Sequence, residues 1–127
     1  MIDLERNRQV VRAYLELAFN AKQPAEAAAE YVGGGYIQHN PHAADGPEGF
    51  VAAISGFIGQ FPELSIDIKR TVAEGDLVVT HSLLKVSAED RGSAAMDIFR
   101  LEDGRIVEHW DVVQAVPEHA ANANTMF

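Results

Sequence analysis

The stretch DIFRLEDGRIVEHWDVVQ, residues 97–114, decides the fold. Its two arms alternate apolar and polar residues about the loop formers Glu102, Asp103 and Gly104, which is the pattern of a β-hairpin. Alternation also fixes which side chains share a face, because successive residues of a strand point to opposite sides of the sheet. A three-residue loop with Gly104 in the left-handed conformation pairs Leu101 with Arg105 and sets Asp97 opposite His109; a two-residue turn sets Asp97 opposite Trp110 instead. Under the three-residue loop one face carries Asp97, Phe99, Val107, His109, Asp111 and Val113. The other carries Met96, Ile98, Arg100, Ile106, Glu108, Trp110, Val112 and Gln114.

Working outward, LSIDIKRTVAE and DLVVTHSLLKV read as two further strands joined by a tight turn at Gly75 and Asp76, and SAEDRGSA as a longer loop before the hairpin. Within the second of these strands Val79, His81 and Leu83 fall on one side, a titratable residue between apolar ones. That repeat of the hairpin's format selects the odd-numbered face as the interior of a cleft. Upstream of the strands the period changes to that of helices. Residues 3–21 place Leu4, Val11, Leu15 and Ala18 on one stripe. A second, Ala-rich helix starts at Pro24 and stops at Gly33, Gly34 and Gly35, and a third sets Phe50, Ile54, Phe57 and Phe61 at helical spacing before Pro62. Three helices followed by four antiparallel strands predict an α+β domain, with the helices on one face of a bent sheet.

Composition bounds the function. A chain of 127 residues, 47% of them apolar, suits one domain over residues 1–127 with one core. Zero cysteines exclude disulfides and thiolate chemistry, and a net charge of −9 repels nucleic-acid backbones and anionic lipid surfaces. No apolar run reaches the roughly 18 residues of a membrane helix, and the opening MIDLERNRQVV lacks the order of a signal peptide. A cytoplasmic protein with neither nucleic acid nor membrane as partner is expected. His42 and His119 fall in polar surroundings and are read as solvated, and residues 117–127 as a flexible tail or an arm laid on a neighbour through Met126 and Phe127. The outer side of the sheet, with Ile98, Ile106, Trp110 and Val112, leaves apolar area to cover and predicts a homodimer.

Burying Asp97, His109 and Asp111 among aliphatic groups is costly unless they are paired, so the cluster calls for a compensating role. A carboxylate in an apolar pocket is harder to ionise, which suits it to taking a proton alpha to a carbonyl.

The segments YIQHNP (36–41), GDLVVTH, DIFR and EHWDVVQ, in this order after a long first helix, resemble the SnoaL-like polyketide cyclase branch of the nuclear-transport-factor-two-like superfamily. The resemblance implies a cone-shaped α+β barrel in which a strongly bent, mainly antiparallel sheet wraps around the N-terminal helices and leaves an apolar pocket open at one end. It implies Asp111 as the general base of an intramolecular aldol condensation, with His39, Asn40 and Asp97 lining the pocket around the substrate carbonyl or enolate. Cyclases of this branch often carry a different residue where Asp97 stands, and the superfamily also holds isomerases, dehydratases and binding domains.

Three readings follow. The first is a cofactor-free cyclase, isomerase or aldol-type lyase acting on a small hydrophobic carbonyl compound. Its catalytic residues are Asp111, Asp97 and His109, and its substrate-binding residues are His39, Asn40, His81, Phe50, Ile54, Phe57 and Phe99. The second is a metal-dependent enzyme using His39, His81, His109 and Asp97, although no local spacing is diagnostic of a metal and the first reading assigns none. The third is a binding or assembly module of the same fold, which binds without turnover.

Overall fold

In the computed structural model, which describes residues 1–127, helix α1 spans Leu4–Leu15 and is capped by Asp3, whose carboxylate accepts the Arg6 N–H at 3.0 Å. One wide π-helical segment, Glu16–Asn20, extends it. Val11, Leu15 and Ala18 of the expected stripe are buried with Tyr14, while Leu4 stays exposed at the helix start. Helix α2 (Pro24–Tyr31) begins on its proline, and α3 (Gly46–Gln60) buries Phe50. No helix is long and apolar enough to cross a membrane.

The expected meander is present: β2 (Ser65–Glu74), β3 (Leu77–Lys85), β4 (Ser93–Glu102) and β5 (Arg105–Ala115) are antiparallel neighbours, and Gly75 turns with φ 57° between β2 and β3. A fifth strand, β1 (Val32–Gln38), was not expected; it pairs in parallel with β5 and completes the sheet order β1-β5-β4-β3-β2. The glycine run that reads as a helix stop lies inside this strand. From Val32 to Ile37 β1 advances five residues while β5 advances two, from Ile106 to Glu108, so the glycines absorb the excess. A side chain at Gly33 would sit 3.0 Å from Val107 Cγ1.

The β4–β5 register differs from both sequence expectations. Asp103 and Gly104 both have positive φ, 50° and 76°, which makes a two-residue turn between the paired Glu102 and Arg105. The pairing then slips: Leu101 faces Ile106 but Arg100 faces Glu108, so Val107 is an extra residue in β5, a β-bulge. Beyond it Phe99 faces His109 and Asp97 faces Asp111. The bulge brings Ile106 on one side of it and His109 on the other to the same inner face, where both are buried. Ile106, expected on the outer face, is therefore a core residue.

Strand β3 corrects a second expectation. Its inner row is Val78, Thr80 and Ser82, all fully buried, so Val79, His81 and Leu83 lie on the other side. The Thr80 and Ser82 hydroxyls have no hydrogen-bond partner among the protein's atoms. Tyr14, Phe50 and Phe99 join α1, α3 and β4 through ring centroids 5.0 and 6.0 Å apart, and each such buried side chain stabilises the fold by about 1.5–3 kcal/mol. The result is the cone-shaped α+β fold, with helices inside the curl of the sheet. Residues 116–127 form no helix or strand; Phe127 stacks on His81, ring centroids 5.8 Å apart, on the outer face of the sheet.

Candidate functional site

The helices do not fill the cone. A cavity of about 390 Å³ remains, walled by apolar side chains such as Phe19, Phe57, Ile66 and Leu84. At one end its wall becomes polar through Tyr36, Gln38, Asn40, Asp97, His109 and Asp111. No lysine or arginine lines it.

Each polar side chain is placed by its strand. Asp97 and Asp111 are cross-strand partners on β4 and β5, and His109 projects from the same face of β5 just past the bulge. His109 Nε2 lies 2.7 Å from Asp97 Oδ1 and 3.9 Å from Asp111 Oδ2. Its other ring nitrogen, Nδ1, is 2.8 Å from Gln38 Oε1. The imidazole also rests against Phe99, centroid to centroid 4.9 Å. Asn40, in the segment that follows β1, donates from Nδ2 to both Asp111 oxygens at 2.9 and 3.0 Å, while its own Oδ1 accepts the His42 backbone N–H at 2.8 Å. A backbone N–H can only donate, so the oxygen of the Asn40 amide must face His42 and its NH2 must face Asp111.

The two carboxyls differ in their partners more than in their exposure. Asp97 is 8% exposed, and desolvation pushes its pKa up against the opposing pull of His109; the nearby Asp111 pushes in the same direction as burial. Tyr14 and Tyr36 are held neutral, foremost by burial.

The sequence-predicted residues divide between the two faces. Asp97, His109, Asp111, Asn40, Phe50, Ile54, Phe57 and Phe99 all line the cavity. His39 and His81 do not. His39 points to the outer face, stacks on Trp110 at 4.8 Å and bonds Glu108 at 2.8 Å. His81 contacts Arg70 and Phe127. Both miss for the same physical reason: His81 within β3 and His39 just past the end of β1 occupy outward positions whose alternate neighbours face in. Their separation also breaks the metal set of His39, His81, His109 and Asp97. The inner trio of Asp97, His109 and Asp111 does bring three ligand atoms within 4.8 Å of one another. An ion there would have to displace the Asn40 amide from Asp111 and the imidazole from Asp97.

Sequence reading missed Tyr14, Tyr36 and Gln38, and His42 lines the cavity too, although it stays exposed. The signal for two of them was present: in YIQHN, read as a strand, Tyr36, Gln38 and Asn40 share one side and Ile37 and His39 the other.

The model of the SnoaL-like domain matches residues 11–109. No curated protein matches the chain. Among solved structures, TsrD from Streptomyces laurentii is similar with a TM-score of 0.75 at 25% identity, covering 89% of this chain and 91% of that one. Wild-type IdmH from Streptomyces antibioticus, a candidate polyketide cyclase, has a TM-score of 0.67 at 24% identity over 84% of this chain and 91% of its own. A candidate isomerase of the SnoaL-like family from Agrobacterium tumefaciens str. C58 has a TM-score of 0.72 at 15% identity over 87% and 99%. The last two likenesses establish the fold alone.

Proposed function

The chain belongs to the SnoaL-like domain family, and from that premise we propose that it is a cofactor-free acid/base enzyme acting on a small hydrophobic carbonyl compound, with Asp111 as general base. The observation that carries this reading is the unequal treatment of two neighbouring carboxyls at the polar end of an apolar cavity. Asp111 receives two N–H contacts from an amide that cannot turn round, and it faces the cavity. Asp97 is buried, and its environment favours the protonated form. Two neighbouring carboxyls with such different hydrogen-bond partners can supply a base and an acid to one substrate.

A carbonyl compound lying along the apolar wall presents its alpha carbon to Asp111 and its oxygen to the Asp97–His109 pair. Asp111 takes the alpha proton, the C–H electron pair moves into the carbonyl, and the pair's proton meets the developing enolate oxygen. Return of a proton at another carbon completes an isomerisation; attack of the enolate on a second carbonyl of the same molecule closes a ring. The absence of lysine and arginine from the wall supports a substrate without phosphate or carboxylate groups. IdmH and the Agrobacterium protein carry names of these two reaction types on the same fold.

The test is Asp111→Asn, which keeps the shape and loses the base. Turnover of candidate diketones and enones should fall about 10³-fold, with unfolding temperature and ligand binding retained; full activity refutes the assignment. A binding module of the same fold predicts ligand uptake without turnover by either form. Exposed Met96, Ile98 and Val112 on the outer face support pairing of two chains there, which light scattering at micromolar concentration tests.

A further inference from the structure

A chain of hydrogen bonds leads away from the candidate acid into the core. Gln38 Oε1 accepts the Asn40 backbone N–H at 3.0 Å, so this oxygen, and not the amide nitrogen, must be the atom 2.8 Å from His109 Nδ1. The amide nitrogen faces the other way and donates to the Tyr36 hydroxyl at 2.9 Å. An oxygen without a proton can bond the imidazole only if Nδ1 carries one. His109 Nε2 is then left to Asp97 Oδ1 at 2.7 Å, and that contact is a hydrogen bond only when a single proton lies between them, on either partner.

We infer that Gln38 is the positioning residue of the site: its carbonyl, locked by the Asn40 main chain, pins a proton on His109 Nδ1 and thereby makes Asp97 and His109 one proton-holding unit facing Asp111. The inference rests on the acid/base reading for its meaning, but not for its geometry. Gln38 touches neither substrate carbonyl nor base in this scheme; it acts through the imidazole. The same amide also holds the main chain of Asn40, whose own side chain, oriented by the His42 N–H, faces Asp111.

The groups that face the imidazole are few. From β4 and β5 come Asp97 and Asp111, from β1 Gln38 and Tyr36, and from α1 Tyr14; the exposed His42 stands on the cavity wall beyond Asn40. None of the strands or helices sends a lysine or arginine there. The pair's proton is therefore governed by Asp97, Asp111 and whatever occupies position 38.

Imidazole nitrogen NMR of the histidine-labelled full chain tests this, with His109 identified by its loss in His109→Gln. In the wild type Nδ1 should remain protonated across the pH range in which the protein is folded, while Nε2 reports the proton shared with Asp97. Gln38→Leu should release Nδ1 and give a mixture of tautomers. Gln38→Glu retains an acceptor but adds a negative charge at bonding distance, so the imidazolium should persist to a pH higher by about one unit or more. A wild-type Nδ1 without a proton, or a Gln38→Leu spectrum equal to the wild type, overturns the inference; if the leucine variant does not fold, the wild-type and Gln38→Glu spectra decide. An inactive wild type with the expected spectrum would sink the acid/base reading and leave the role of Gln38 standing. Activity with an unpinned imidazole would do the reverse.

Discussion

Two histidine–carboxylate pairs sit on opposite faces of the sheet, each with one member on β5, at nearly the same distance: His109 and Asp97 inside the cone at 2.7 Å, His39 and Glu108 outside at 2.8 Å. Their carboxyls move in opposite directions. Burial holds Asp97 above the usual carboxylate range, whereas hydrogen bonds from His39 and Arg100 hold Glu108 below it. The contact is the same and the surroundings are not, so proximity of a histidine to an acid says little about chemistry until its access to water is known. The inner pair faces a cavity. The outer pair belongs to an ionic ladder that continues from Glu108 through Arg100 to Glu102 at 2.8 Å each.

Substitutions sharpen this contrast. The largest effect is expected for Asp111→Asn, the base opposite the inner pair, as stated above. Asp97→Asn should lower turnover about 10–100-fold, because the amide can still donate to His109 Nε2 but has no acidic proton to share. Its effect on stability has a definite sign. A carboxyl whose pKa is raised by folding contributes stability that is full below the ordinary carboxylate range and fades as pH rises through the raised value. The asparagine lacks that loss, so its unfolding temperature should gain on the wild type as pH rises above the ordinary carboxylate range and not in acid. Equal unfolding curves at both ends would break the contrast. Glu108→Gln should do the opposite: its lowered pKa contributes stability above the carboxylate range that vanishes as pH falls through the lowered value, so the variant is slightly less stable at neutral pH and converges with the wild type in acid. Turnover should change less than about twofold, the size expected of a solvated surface pair. A larger loss would mean that the outer face communicates with the cavity through the main chain of His39 and Asn40.

The same two faces explain what the sequence revealed. Helices and the four meander strands were legible because apolar spacing, β-branched content and Gly/Pro punctuation mark them. β1 was not, since VGGGYIQ breaks alternation with three glycines, and the one close approach among them, Gly33 against Val107, is visible only when β5 lies beside it. Asp97, His109 and Asp111 share one face although neither option gave Asp97 its partner: the turn is the two-residue alternative, and the Val107 bulge then shifts the pairing by one more residue. His81 was misplaced because Val79, His81 and Leu83 form the greasier row, while the buried row of Val78, Thr80 and Ser82 is smaller and more polar. Counting apolar residues favours the wrong side there.

Val107 works like an inserted letter that restores a reading frame. Were it paired in regular alternation instead of bulging out, the distal half of β5 would rotate by half a turn, exporting His109 and Asp111 to water and importing Glu108 and Trp110. A scaffold of this kind can lose or acquire its chemistry by flattening or forming one bulge, with no change in composition.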